Sequence, residues 1–327
     1  MPVPLLDVRS LTVSFQTVDG LVEAVRGVSF AVDRGKTLGI VGESGSGKSV
    51  ATQTMAGLTR GARISGEAIF EGRDLLMMSP AQLRGVRGPG IAMIFQNPLS
   101  SLHPFYRVGW QIEEMIRAHE PVSRTKARGR AIELLGLVGI PRPDRRVDDY
   151  PHQFSGGMLQ RAMIAMALAL NPRLVVADEP TTALDVTVQA QIIRLMRRIQ
   201  SEFGMAIIMI THDLRVIAEI ADDVMVMYAG KVMEFAPRRE LFRRPSHPYT
   251  EGLLGSLPRV DSSDSRLTPI PGQPPSLISP PCGCPFHPRC ARAIDRCSTE
   301  LPSLIAVPES DRHQAACWLV QEGIAAG

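Results

Sequence analysis

The sequence predicts an α/β fold in which helices alternate with the strands of a sheet and a ligand lies beyond the carboxyl ends of those strands, followed by an irregular C-terminal appendage. Three observations carry this expectation. Short apolar or β-branched runs recur at residues 37–41, 91–95, 174–177, 206–210 and 224–228, and each of the first four is followed at once by polar residues of functional character. The first run leads directly into the glycine-rich stretch Gly42-Glu43-Ser44-Gly45-Ser46-Gly47-Lys48-Ser49. Beyond residue 228 the periodicity fades, and Pro237, Pro245, Pro248, Pro258, Pro269, Pro271 and Pro274 punctuate the chain.

The clearest helical pattern spans residues 186–203, where Val188, Ile192, Leu195, Ile199 and Phe203 recur at three- and four-residue spacing. Asp185 precedes it as an N-cap and Gly204 ends it. Such a stripe packs against a sheet. From about residue 98 an insertion carries two further helical stretches, 108–119 and 125–137, and reads as a helical subdomain of about residues 98–170. The expected organisation is a first domain over residues 1–237 and a C-terminal extension over residues 238–327.

The length of 327 residues suits one large α/β core with an appendage. A formal net charge of +3 gives no electrostatic reason to expect nucleic acid as a partner. The amino terminus lacks the basic start and long apolar run of a secretory signal. No uninterrupted apolar run reaches the length of a membrane-spanning helix. All five cysteines lie between Cys282 and Cys317; in a cytosolic protein such a cluster points to a metal or iron-sulfur site rather than to disulfides.

The strand, glycine loop and following helix form the context of a phosphate-binding P-loop. Its glycines let backbone amides surround the phosphates, Lys48 neutralises the β- and γ-oxygens, and the Ser49 hydroxyl can ligate Mg²⁺. Downstream, the apolar run 174–177 ends in two carboxylates. Asp178 is placed to hold Mg²⁺, and Glu179 to polarise an attacking water. Between these lies Phe154-Ser155-Gly156-Gly157-Met158-Leu159-Gln160. Ser155 is a natural N-cap, and the glycines leave the first amides of a helix uncovered, a second anion-binding feature. Two such features in one chain make sense if the second completes the site of a neighbouring subunit.

Taken together, these residues resemble the nucleotide-binding subunit of an ABC transporter, whose signature LSGGQ stands here as FSGGM. The remaining elements follow in order: Gln96 resembles the Q-loop glutamine, Ala183-Leu184-Asp185 the D-loop and His212 the switch histidine. The resemblance covers roughly residues 5–237. It implies a P-loop NTPase of ABC type, with a RecA-like core, an antiparallel β subdomain and a helical subdomain. It also implies a head-to-tail dimer in which ATP on one subunit faces the partner subunit's Ser155, Gly156, Gly157 and Gln160. Catalysis would rest on Glu179 and His212, with Mg²⁺ held through Ser49, Gln96 and Asp178. Phe15 is the aromatic residue nearest the place where such proteins stack adenine, and it either stacks there or belongs to the core.

The stretch Phe95-Gln96-Asn97-Pro98-Leu99-Ser100-Ser101-Leu102-His103-Pro104 is similar to the Q-loop region of dipeptide, oligopeptide and nickel importers, where QDPxxSLNP is typical. The tail agrees with that branch at His247-Pro248-Tyr249-Thr250, Ser256-Leu257-Pro258-Arg259 and Ile270-Pro271-Gly272-Gln273-Pro274-Pro275. The same branch often carries a four-cysteine pattern, matched by Cys284, Cys290, Cys297 and Cys317. The resemblance favours a four-iron four-sulfur cluster over zinc, with Cys282 spare, although Cys282 and Cys284 could exchange roles. The implied enzyme is an ATPase on the cytoplasmic face of a bacterial inner membrane. Its implied partners are a homologous second ATPase, two transmembrane permease subunits and an extracytoplasmic substrate-binding protein. Peptides are the expected cargo; nickel or glutathione-like compounds are the alternatives. A soluble ABC ATPase of DNA maintenance is the rival class, and it is disfavoured by the short spacing from Gln96 to Ser155 and by the lack of a basic stripe.

Overall fold

The computed structural model describes residues 3–182, 184–256, 269–308 and 310–323; Ala183 of the expected D-loop and residues 257–259 of the tail lie outside them. Among the described residues the strands are β1 (Leu6–Thr17), β2 (Gly20–Val32), β3 (Thr37–Val41), β4 (Ala62–Phe70), β5 (Arg73–Asp74), β6 (Ile91–Ile94), β7 (Leu174–Asp178), β8 (Ala206–Thr211), β9 (Asp223–Tyr228), β10 (Lys231–Pro237), β11 (Ile305–Val307) and β12 (Ser310–Ala315). The chain divides into two compact units. The first holds residues 1–32, 37–76 and 210–327, and the second residues 33–36 and 77–209. No helix among the described residues is long and apolar enough to cross a membrane.

In the first unit an antiparallel sheet runs in the order β2-β1-β4-β5. Strand alternation would carry the inward face of β1 from Leu6 and Val8 on to Ser10 and Thr12. A register shift between Val8 and Leu11 prevents this, with Ser10 in the left-handed region at φ 47°. Leu11 and Val13 are buried instead. The second sheet of this unit runs β11-β12-β10-β9-β3. Here β3 lies parallel to β9, with Val41 opposite Val226, and β10 and β12 are antiparallel neighbours. All five residues of β3 are buried, which suits an uninterrupted apolar run flanked on both faces.

The tail is largely coil with short helices, as its prolines predict, but its final strands β11 and β12 extend the sheet beyond β10. Glu234 on β10 secures it. This fully buried carboxylate accepts the Ser246 N–H at 2.7 Å, the His247 N–H at 3.0 Å and His313 Nε2 at 2.7 Å. His247 Nδ1 in turn accepts the Tyr249 N–H at 3.0 Å, which places the ring proton on Nε2. Burial pushes the His247 pKa down from 6.5 to about 4, against the pull of Glu234. The unfolded chain therefore takes up this proton below pH 6.5, while the folded chain resists it until about pH 4. Stability from this site is full above pH 6.5 and falls by up to about 3 kcal/mol as pH drops through that window. Denaturant titrations at pH 7 and pH 4.5 are expected to show the loss, and His247→Gln is expected to flatten it.

In the second unit β6 and β7 are parallel, with Ile94 opposite Ala177. The helices Val108–His119, Arg124–Leu137 and Gly156–Ala167 pack together through Ile112 and Ile116, Ala131 and Leu135, and Met163. Gly109 lets the first of these helices lie close against the segment at Val147, since a Cβ there would lie 2.1 Å from the Val147 side chain. The helix Val186–Phe203 has the predicted bounds, with Asp185 accepting the Val188 N–H at 3.0 Å and Gly204 closing it at φ 63°.

Candidate active site

The P-loop is packed backbone to backbone. A Cβ on Gly42 would lie 2.1 Å from the Met227 carbonyl oxygen. One on Gly47, whose φ is +94°, would lie 2.2 Å from that of Ala24. The helix Lys48–Met55 starts directly from this loop, and Gly47 at its N-cap supplies no side-chain cap, the kind of start that suits an anion. Lys48 is buried, and its Nζ donates to the Gly42 and Glu43 carbonyls, each at 2.8 Å, and to Ser46 Oγ at 3.2 Å. The loop thus holds its own cation in place. Phe15, near the end of β1, is half-buried and pairs with Val22. His212 is exposed on the tight turn after β8. The next residue, Asp213, caps the following helix by accepting the Arg215 N–H at 2.9 Å.

The second unit carries the carboxylates. Asp178 is the buried last residue of β7. The backbone then turns sharply, leaving Glu179 at φ 48°, a left-handed conformation that costs about 1–3 kcal/mol for a non-glycine residue and clusters at functional sites. Because Ile94 and Ala177 are paired, the residues two beyond each of them emerge at the same sheet end. Gln96 Nε2 accordingly donates to Glu179 Oε2 at 3.1 Å, and Thr182 Oγ1 donates to the same oxygen at 2.8 Å. Asp178 and Ser49 are hard oxygen donors of the kind Mg²⁺ prefers.

At the second glycine feature, Ser155 is exposed and its Oγ accepts the Met158 N–H at 3.4 Å. Nothing lies within 4 Å of a Cβ built on Gly156, whereas one on Gly157 would touch Val188 at 3.0 Å. Ser155, Gly156 and Gly157 are therefore brought together at a helix start. Gln160 is not. It is 2 % exposed and sits in the interior, because two residues beyond Met158 is about 200° further round the helix. The expectation that Gln160 reaches a partner's nucleotide is corrected accordingly.

Of the cysteines, Cys284, Cys297 and Cys317 are buried, Cys290 is half-buried and Cys282 is exposed. The Cys284 N–H donates to the Cys297 carbonyl at 2.8 Å. Burial pushes the Cys284 thiol up to about 12, and the nearness of Cys297, Cys317 and Cys290 pushes the same way. The four predicted thiols are thus gathered and Cys282 stands apart. Among the described residues no three His, Cys, Asp or Glu side chains are arranged to hold one metal ion. In donor type alone the cysteines suit a thiolate-held cluster.

The family described as ABC transporter matches residues 25–182, and that described as oligopeptide/dipeptide transporter, C-terminal region, matches residues 233–297. The dipeptide transport ATP-binding protein DppD of Bacillus subtilis (strain 168) is 50% identical over 318 residues, covering 96% of this chain and 94% of that protein. The oligopeptide transport ATP-binding protein OppD of Escherichia coli (strain K12) is 50% identical over 299 residues, covering 91% and 89%. The chain belongs to the ATP-binding subunits of ABC transporters, in the oligopeptide/dipeptide branch. Among solved structures, the dimeric post-hydrolysis state of the ATP-binding cassette MJ0796, bound to ADP and Pi, aligns with a TM-score of 0.65. It is 26% identical and covers 72% of this chain and 99% of that one.

This ABC ATPase also has site contacts that the motifs do not announce. Glu43 of the P-loop is paired with Arg289 at 2.6 Å and its N–H donates to Tyr249 Oη at 2.9 Å, both partners lying in the extension. Arg289 is separated from Glu43 by 246 residues, and local pattern carries no signal over such a span. The one available hint is an acidic residue inside a loop that receives anions.

Proposed function

We propose that this ABC ATPase powers the import of di- and oligopeptides from the cytoplasmic face of a bacterial inner membrane. The observation that carries the reading is that one chain joins the nucleotide motifs to an extension matched as oligopeptide/dipeptide transporter over residues 233–297. Relatives named for dipeptide and oligopeptide transport align with 96% and 97% of its length.

In the proposed site Lys48 and the first amides of the helix Lys48–Met55 hold the β- and γ-phosphates, and Phe15 stacks on adenine. Ser49, Gln96 and Asp178 would hold Mg²⁺, which supplies neutralising charge between those phosphates. Glu179 takes a proton from the attacking water as its oxygen bonds to the γ-phosphorus and the bond to the leaving ADP oxygen breaks. His212 donates a hydrogen bond to the γ-phosphate. Ser155, Gly156 and Gly157 cover the nucleotide of a homologous second ATPase, with Asp185 beside them. The exposure of Ser155 and Gly156 and the open space at Gly156 support this role.

Two permease subunits and an extracytoplasmic binding protein complete the assembly. A cavity of about 440 Å³ in the second unit, lined by Phe105, Tyr106, Trp110 and Tyr150 among charged neighbours, suits a permease helix. Phe105 is 82% exposed there. In the extension, Cys284, Cys290, Cys297 and Cys317 would hold a four-iron four-sulfur cluster, which would supply cross-links to a segment poor in apolar core. What supports this part of the reading is the donor type, four cysteines within one segment of the extension.

Anaerobic copurification of the intact complex tests both parts. Bound short peptides, peptide-stimulated ATPase activity in proteoliposomes, and iron with broad visible absorbance are expected. Nickel- or glutathione-dependent stimulation would replace the cargo, and zinc without iron would replace the cluster. DNA-stimulated turnover without membrane subunits would overturn the transporter reading.

A further inference from the structure

Glu43 is the second residue of the P-loop and places a carboxylate in a loop otherwise built to receive polyphosphate. It is fixed at three points. Its N–H donates to Tyr249 Oη at 2.9 Å, and its carbonyl accepts Lys48 Nζ at 2.8 Å. Its carboxylate takes both terminal nitrogens of Arg289, at 2.6 and 3.1 Å. The Arg289 side chain is only 6% exposed, and it donates further to Tyr228 Oη at 3.1 Å and to the Pro271 carbonyl at 2.7 Å. Burial alone would loosen its proton, but the bonds to Glu43 and Tyr228 hold the guanidinium charged. A two-pronged, largely dehydrated pair of this kind fixes direction as well as charge.

The surroundings tie this pair to the extension. Arg289 ends the short turn His287–Arg289, which lies between Cys284 and Cys290. Tyr228, Tyr249 and Phe286 pack around it with ring centroids 4.6 to 5.4 Å apart. The Leu277 carbonyl accepts the Glu23 N–H of β2 at 3.1 Å, so the extension is also fastened to the strand beside the loop.

We propose that Arg289 is a positioning residue of the ATP site, cancelling the charge of Glu43 and orienting it so that the extension sets the affinity of the P-loop for nucleotide. The chain of contact runs from the guanidinium to the Glu43 carboxylate, and from the Glu43 carbonyl to the lysine that meets the phosphates. Without Arg289 the P-loop carries an uncompensated carboxylate five residues before Lys48, and a negative charge in that loop opposes the approach of a polyphosphate. The inference rests on the P-loop's binding of nucleotide.

Binding of a fluorescent N-methylanthraniloyl-ATP to the full-length chain provides the test. Arg289→Ala is expected to weaken binding about 10- to 100-fold when Glu43 is present, and less than about threefold when Glu43→Gln is also present. Raising the salt concentration is expected to narrow the first loss, since a bare charge is screened where a packing defect is not. If Arg289→Ala does not fold, Arg289→Gln serves in its place, with the same expected loss and the same relief when Glu43→Gln is also present. Wild-type affinity in Arg289→Ala would overturn the proposal. So would an equal, salt-independent loss with and without the Glu43→Gln substitution, which would reduce Arg289 to an anchor. A wild-type chain that failed to bind the probe would instead refute the reading of the loop itself.

Discussion

Glu179→Gln is expected to lower ATP turnover by about 100- to 10,000-fold while leaving ATP binding within a few-fold of the parent. The amide keeps the size of the side chain and an oxygen that can accept from Thr182, which donates to Glu179 Oε2 at 2.8 Å. It cannot take a proton from water. The strained backbone at φ 48° holds either side chain at the same place, so the loss reports chemistry rather than disorder. ATP should therefore accumulate uncleaved, and a closed dimer should appear on size exclusion when ATP is added. Phosphate release at the parental rate would remove Glu179 from the role of base.

The second large effect lies far from the phosphates. Glu234→Ala removes a fully buried carboxylate that accepts from Ser246, His247 and His313 at 2.7 to 3.0 Å. Two backbone N–H groups and an imidazole then lie in the interior without their acceptor. The expected cost is about 3–5 kcal/mol, because groups stranded by the loss of a buried charged partner cannot recover water. Proteolysis should cut the extension first, between β10 and β12, where Glu234 faces Ala315 in the sheet. Glu234→Gln, which keeps one acceptor oxygen, should lose about half as much. Parental stability in the alanine variant would mean that the network contributes little.

Much of this was legible because it is local. The helix Val186–Phe203 shows its apolar stripe, its aspartate cap and its closing glycine within twenty consecutive residues, and the structure returns the same bounds. The P-loop, the carboxylates at the end of β7 and the helix start at Ser155 are legible for the same reason: each is a short stretch of adjoining residues. Gln160 was misjudged because reading order along a motif says nothing about which way a helix has turned two residues later. The strands β11 and β12 escaped detection because Ser310–Ala315 is mostly polar and becomes a strand only by pairing with β10. The partners of Glu43 were beyond reach for the same reason, being fixed by tertiary closure.

The distance between Glu43 and Arg289 along the chain has a consequence for synthesis. The cation leaves the ribosome 246 residues after the carboxylate it neutralises. At ordinary elongation rates that delay is roughly 10 to 50 s. A nascent chain can thus complete the P-loop and the strands around it while the loop still carries its own repelling charge. On the proposal above, the newborn subunit acquires its full grip on nucleotide only when the segment that carries Arg289, in the last eighth of the sequence, emerges and folds back.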